Sequence, residues 1–296
     1  MDVLRPTTLD AMIGQSQVRA RLSIAINAAL SRNEPLDHVL IDGYPGLGKT
    51  TLAHCVANSL GHKIQIANAA SIVAPRDLLP LLTQAEGGVI FIDEIHRLPA
   101  PAEEFLYPAM EEFRIDMVVG EGMNAKVLNL KLQPFTLIGA TTRAGMISAP
   151  MRRRFRIQET LDFYSVAELA ELIKRNAAKL AVYLPPGGSG RIAAVSRGIP
   201  GIANNRLLWV RDFGVKSKSD LDAALTMLGI DEHGLEPLDR KYLDTLRTFN
   251  GGPIGVSALA HTMATDEATV TEIVEPYLLR LKLITRTPRG RKLVPA

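Results

Sequence analysis

The stretch GYPGLGKT, residues 43–50, constrains this chain more than any other. It matches G-x-x-x-x-G-K-[ST] in full. An apolar run, HVLIDG (38–43), precedes it, and a segment with helical spacing, TTLAHCVANSL, follows. Strand, loop and helix in that order gather backbone N–H groups around an anion, and the helix N-terminus adds partial positive charge. Gly43, Gly46 and Gly48 let the backbone close without Cβ clashes. Lys49 is placed to reach the β- and γ-phosphates of a nucleoside triphosphate, and Thr50 to hold Mg²⁺. Nothing in the run chooses ATP over GTP.

The second half of such a site is FIDE, residues 91–94, at the end of a β-rich apolar run. Asp93 can hold Mg²⁺ and Glu94 can activate water. Acids are common at strand ends, and their distance downstream of a phosphate loop is what gives this pair meaning. The reaction class that follows is hydrolysis of a nucleoside triphosphate. GATT (139–142) ends another buried strand, where a threonine hydroxyl can touch the γ-phosphate or the attacking water. Beyond it lies APMRRRFRI, with Arg152, Arg153, Arg154 and Arg156 within five positions. Such a run is solvated, paired, or aimed at something negative. A cation supplied to a neighbour's phosphoryl-transfer site, a DNA phosphate contact and a solvated patch all fit its spacing.

Strands alternating with helices through residue 160 predict an α/β domain with a mainly parallel sheet. Within it, Val18, Leu22, Ile26 and Ala29 give a helix capped by Asp10. PRDLLPLLTQAE and PAEEFLYPAMEEF read as further helices. IDMVV and KVLNLKL flank GEGMNA as a β-hairpin, with Leu128, Leu130 and Leu132 on one face of its second strand. From Ser165 to about Gly229 only helices are predicted, and DEHGLEP reads as a linker. Three short helices and a basic hairpin around Pro288–Gly290 then resemble a winged helix. The expected boundaries are 1–160, 161–230 and 231–296.

Net charge is +3, but six of the last 20 residues are Lys or Arg and none is acidic, so the positive charge is concentrated at one end. The one cysteine, Cys55, excludes an intrachain disulfide, fits a reducing compartment and is expected in a helix core. His96 reads as a surface or structural residue. No apolar run approaches the ~20 residues that span a bilayer, and no signal peptide is visible, so the expectation is a cytoplasmic protein without a membrane contact.

The chain also resembles the RuvB family of bacterial Holliday-junction branch-migration ATPases, AAA+ motors, over nearly its full length. LRPTTLDAMIGQ, LDHVLIDGYPGLGKTTLA, FIDEIHRL, LYPAMEEFRID, PFTLIGATTRAG, WVRDFG and RTPRGR carry the resemblance, in family order. It implies an AAA+ P-loop NTPase core, a helical lid and a C-terminal winged helix. It implies a hexameric ring that hydrolyses ATP with Mg²⁺ to drive duplex DNA through Holliday junctions, with a RuvA-like junction-binding tetramer and a RuvC-like resolvase as partners. Carried onto this chain, nucleotide contacts fall on Gly43, Tyr44, Pro45, Gly46, Leu47, Gly48, Lys49, Thr50 and Thr51. Those around the adenine fall on Leu4, Arg5, Pro6, Ile13, Gly14 and Tyr164. Metal falls on Thr50 and Asp93, catalysis on Lys49, Asp93, Glu94, the γ-phosphate sensor Thr142 and the trans-acting Arg154. Partner binding falls on Leu128 and Leu130, and DNA contact on Arg286, Arg289 and Arg291.

The chain departs from the family where GTPRIANRLL is usual. It reads GIPGIANNRLL, with Gly201 in place of the arginine that senses the γ-phosphate in cis. Asn205, Arg206 and Trp209 also differ, as do Arg153, Arg156, Tyr44 and Lys282. A nucleotide-dependent DNA-binding or scaffold protein with weak ATPase activity is the alternative that Gly201 supports.

Overall fold

The computed structural model describes residues 2–119 and 126–295. Two compact units result, one of residues 1–164 with 199–201, the other of residues 165–198 and 202–296.

The first unit is built on five parallel strands. These are β1 (Val39–Gly43), β2 (Ile64–Asn68), β3 (Val89–Asp93), β6 (Thr136–Thr141) and β7 (Ile157–Leu161), in the order β2-β3-β6-β1-β7. All four pairings are parallel. Every residue of β6 is buried and β3 is buried up to Asp93, as a sheet covered on both faces requires. The helices are α1 (Ser16–Arg32), α2 (Lys49–Ser59), α3 (Leu79–Thr83), α4 (Ala100–Glu112) and α5 (Ala149–Arg154). Ile90, Ile92, Leu106, Phe135, Leu137 and Phe155 share one core. His38, just before β1, ties that core together. Its Nε2 lies 3.0 Å from the Met110 carbonyl and its Nδ1 accepts from the Leu137 N–H at 2.9 Å. Burial lowers its pKa, so the ring is neutral near pH 7.

Several expectations need correction. Asp10 does not cap α1: it is exposed in a turn at 9–11, and the helix begins at Ser16. Gly14, with φ +71°, breaks the path between them. A Cβ there would lie 2.5 Å from the Tyr164 ring, so only glycine lets the chain pass. PRDLLPLLTQAE is a 3₁₀ turn (Pro75–Leu78) leading into the short α3, since Pro80 lacks the N–H that a continuous α-helix would use. The sequence pattern does not predict α5 or β7 as elements. The six-residue α5 is too short to show a helical period, and Ser148 fixes its start by accepting from the Met151 N–H at 3.2 Å.

The hairpin is present as β4 (Arg114–Val119) paired antiparallel with β5 (Lys126–Lys131). The expected GEGMNA turn lies outside the described residues. Ile115 and Leu132 join the core, whereas Leu128 and Leu130 are exposed. The three leucines thus do not share one environment: Leu132 sits where the strand re-enters the domain.

The second unit contains α6 (Val166–Lys179), α7 (Gly188–Ala194), α8 (Pro200–Phe213, whose first two residues cluster with the first unit) and α9 (Lys218–Met227). It continues with α10 (Pro237–Thr248), α11 (Val256–Thr262) and α12 (Glu275–Arg280). The hairpin β8 (Ile284–Thr287) and β9 (Gly290–Leu293) completes it. A Ser165–Glu168 capping box starts α6. A π-helical stretch, Thr269–Val274, runs into α12, where Pro276 cannot donate to the preceding turn. The DEHGLEP segment is packed and bonded: Leu235 is in the core with Tyr242 and Leu278, and Asp231 accepts from the N–H groups of His233 and Leu235. No helix of the described residues is long and apolar enough to cross a membrane.

Candidate nucleotide and DNA sites

Asp93, Thr141 and Thr142 lie at the C-terminal ends of β3 and β6, beside β1, whose end feeds the glycine loop. Parallel register places them there: Asp42 pairs with Thr141, and Ile92 with Gly139. Ligands bind at such strand ends in open parallel sheets. Gly46 (φ +80°) and Gly48 (φ +104°) hold left-handed conformations in the loop, and Gly48 is the residue before α2. The Lys49 ammonium donates to the Gly43 carbonyl at 2.7 Å and, more weakly, to that of Tyr44 at 3.4 Å. Burial lowers its pKa, opposed by the nearby carboxylates of Glu94, Asp93 and Asp42.

Glu94 adopts φ +49°, and its Oε2 accepts from both the N–H (3.2 Å) and the hydroxyl (2.9 Å) of Thr142. The two residues assigned separately to water activation and phosphate sensing are therefore one hydrogen-bonded unit. His96 belongs to it. Its Nδ1 lies 3.2 Å from Glu94 Oε2 and 2.9 Å from the Thr141 hydroxyl, and its side chain is 7% exposed. Of the two readings of His96, surface or structural, the structural one fits: the 3₁₀ turn at Ile95–Arg97 brings it to Thr141. Burial lowers its pKa, with Glu94 opposing.

The segment assigned to the base lies against the same loop. Tyr164 is buried on Gly14, and Tyr44 packs on Phe163 with ring centroids 5.5 Å apart. Leu4 is buried; Arg5, Pro6 and Ile13 are half-buried. Asn58 of α2 donates to the Thr7 carbonyl, and the Cys55 thiol lies 3.4 Å from that of Pro6. Burial pushes that thiol up to about 11, which fits a core cysteine and not a nucleophile. Gly201 clusters with this unit, and its N–H donates to the Gly46 carbonyl at 3.1 Å. Arg206 offers no replacement cation, since it is buried in the second unit and paired with Glu236 at 3.1 Å.

Among the described residues no group of three or more His, Cys, Asp or Glu could hold a metal ion. A hydroxyl and a carboxylate, as the expected Thr50 and Asp93 offer, are the chemistry that suits Mg²⁺, which keeps waters and takes one or two protein ligands beside substrate phosphates.

The arginine run divides by partner. Arg152 donates to the Ala144 carbonyl, and Arg156 pairs with Asp37 at 3.0 Å. Arg153 is exposed on α5. Arg154 stacks its guanidinium 3.8 Å from the Tyr107 ring centroid and pairs with Glu111 at 3.1 Å.

The wing arginines divide as well. Glu275 is fully buried and accepts from Arg286 Nε at 2.7 Å, Arg291 Nε at 2.8 Å and the Tyr242 hydroxyl at 3.1 Å. Burial beside that carboxylate pushes the Tyr242 phenol up. Arg289, at the hairpin tip, is exposed. Arg291→Ala is expected to lower the melting stability of the second unit by ~2 kcal/mol, since buried Glu275 loses one charge-assisted hydrogen bond but keeps those from Arg286 and Tyr242. Arg289→Ala is expected to leave stability unchanged and to reduce the salt slope of duplex binding by about one. Thermal unfolding and binding at several salt concentrations separate the two; equal behaviour of both variants would contradict the division.

Three family models together match nearly the whole chain. The Holliday junction DNA helicase RuvB P-loop domain matches residues 4–161, the RuvB AAA lid domain 164–235 and the RuvB C-terminal winged helix domain 232–296. The RuvB subunit of the Holliday junction branch migration complex of Rhodopirellula baltica is 55% identical over 99% of this chain and 82% of its own length. That of Lacticaseibacillus casei is 48% identical, covering 99% and 89%. The solved structure of the Thermotoga maritima RuvB Holliday junction branch migration motor superposes with a TM-score of 0.86. It is 43% identical over 99% of this chain and 96% of that one.

Proposed function

The chain belongs to the RuvB family, and from that premise we propose that it is an ATP-driven DNA translocase acting in Holliday-junction branch migration. The observation that carries the reading is the convergence of Lys49, Asp93 and the Glu94–Thr142 pair at the ends of adjacent parallel strands. We assign the ATPase domain to residues 1–160, the lid to 161–230 and the winged helix to 231–296.

In this reading Lys49 exchanges the Gly43 and Tyr44 carbonyls for β- and γ-phosphate oxygens. The backbone N–H groups from Gly46 to Thr51 surround the phosphates, with Tyr44, Pro45 and Leu47 shaping the loop, and Leu4, Arg5, Ile13, Gly14 and Tyr164 enclose the base. Thr50 and Asp93 would hold Mg²⁺, which would neutralise charge on the phosphate oxygens. Glu94 takes the proton of the attacking water, and Thr142 holds Glu94 until the γ-phosphate competes for its hydroxyl. Arg154 reaches the site of a neighbouring subunit in a six-membered ring. With Gly201 in the place of the cis sensor, that arginine carries a larger share of the cationic stabilisation.

Leu128 (52% exposed) and Leu130 (37%) present apolar surface on a hairpin, and we assign them to a RuvA-like junction-binding partner, with a RuvC-like resolvase in the larger complex. The wing that carries Arg286, Arg289 and Arg291 meets duplex phosphates without reading bases, with Arg289 at its exposed tip. The protein works in the cytoplasm. The test is unwinding of a synthetic four-way junction by the protein with a RuvA-like partner and ATP. Movement that is lost in Lys49→Ala supports the proposal. ATP binding without turnover or movement in the unaltered protein would favour the scaffold reading that Gly201 raises.

A further inference from the structure

The guanidinium of Arg154 is held in place within its own subunit. It stacks on Tyr107 of α4 at 3.8 Å, donates from Nη1 to the Pro150 carbonyl at 2.9 Å, and pairs through Nη2 with Glu111 at 3.1 Å. Its side chain is only 18% exposed, although Arg153 beside it is exposed. Tyr107 is itself fixed: its hydroxyl donates to Glu103 Oε1 at 2.6 Å. The same oxygen accepts from the hydroxyl of Ser148, the residue that caps α5. One carboxylate therefore ties the ring that supports Arg154 to the start of the helix that carries it.

An unrestrained arginine side chain has rotamer entropy to lose on engaging a ligand. A side chain ordered beforehand loses less, and a reacting geometry held in advance gains rate. We propose that Tyr107 is a positioning residue for the arginine that acts in trans, and that Glu111 marks the place of the anion it will meet. This rests on the reading of Arg154 as that arginine. On ring closure the neighbour's phosphate displaces the half-exposed Glu111 carboxylate while the stack on Tyr107 persists. The aromatic face suits this role, since it orders the cation without neutralising it.

The role has a direction that a structural role lacks. Tyr107 should matter in the subunit that donates Arg154 and not in the subunit that binds the hydrolysed ATP. Mixed rings test this. Lys49→Ala subunits can donate an arginine but have no working phosphate loop; Arg154→Ala subunits retain the loop but donate nothing. Activity in the mixture arises where the first faces the second. Tyr107→Leu placed in the Lys49→Ala subunit is expected to lower turnover about tenfold, with KM for ATP and ring assembly unchanged. Placed in the Arg154→Ala subunit it should change turnover less than twofold, and this arm also reports on folding. Tyr107→Phe in the donor keeps the ring and should restore most of the rate. Equal loss in both arms, or no loss in the donor arm, overturns the proposal. Normal hydrolysis by uniform Arg154→Ala rings would instead overturn the reading of Arg154 on which it rests.

Discussion

Arg154→Ala is expected to reduce ATP turnover by ~10³–10⁵-fold, the range for a trans-acting arginine in phosphoryl transfer. Single-subunit ATP affinity should stay nearly unchanged, because Arg154 lies on α5 and pairs with α4 residues, not with the phosphate loop of its own chain. The large loss follows from charge that builds on the transferring oxygens, which a pre-placed cation stabilises without reorganisation. Gly201 raises the stakes, since no cation from its position shares the load. Turnover per site and nucleotide binding, measured on the same preparation, check the prediction. Normal turnover would return the arginine run to a paired and solvated surface patch.

Glu94→Gln is the second large effect. On the proposed role of Glu94 as the base, its removal should slow hydrolysis ~10²–10⁴-fold. The variant should bind ATP well, because the amide oxygen still accepts from Thr142 and the phosphate loop is intact. It should therefore accumulate as an ATP-bound ring that holds DNA without moving it. A matching loss of ATP affinity would place Glu94 in binding instead. His96→Ala bears on the same unit: it leaves Glu94 with the two Thr142 bonds alone.

Much of the site was legible because its determinants are local. A glycine loop between strand and helix needs only neighbours in sequence, and Lys49 is where the motif puts it. Asp93 at a strand end follows from the apolar run before it. The basic tail was legible as charge, but its division was not. Arg286 and Arg291 look like Arg289 in RTPRGR, and only the inward turn of α12 at Glu275 claims two of the three. His96 and Glu94 are two residues apart, yet their contact depends on a left-handed residue and a 3₁₀ turn.

The run APMRRRFRI separates the two kinds of information most clearly. Its four positive charges were explicit in the sequence, as was their place after the strand-end threonines Thr141 and Thr142. Sequence by itself determined the chemistry of this protein: a nucleotide loop, its acids and a cationic tail. Backbone hydrogen bonding and side-chain spacing over a few residues are enough for those. Which carboxylate or ring each of these arginines meets was decided only by tertiary structure. Coulomb energy depends on distance and burial, and the partners lie far away in sequence: Asp37 for Arg156, Tyr107 and Glu111 for Arg154.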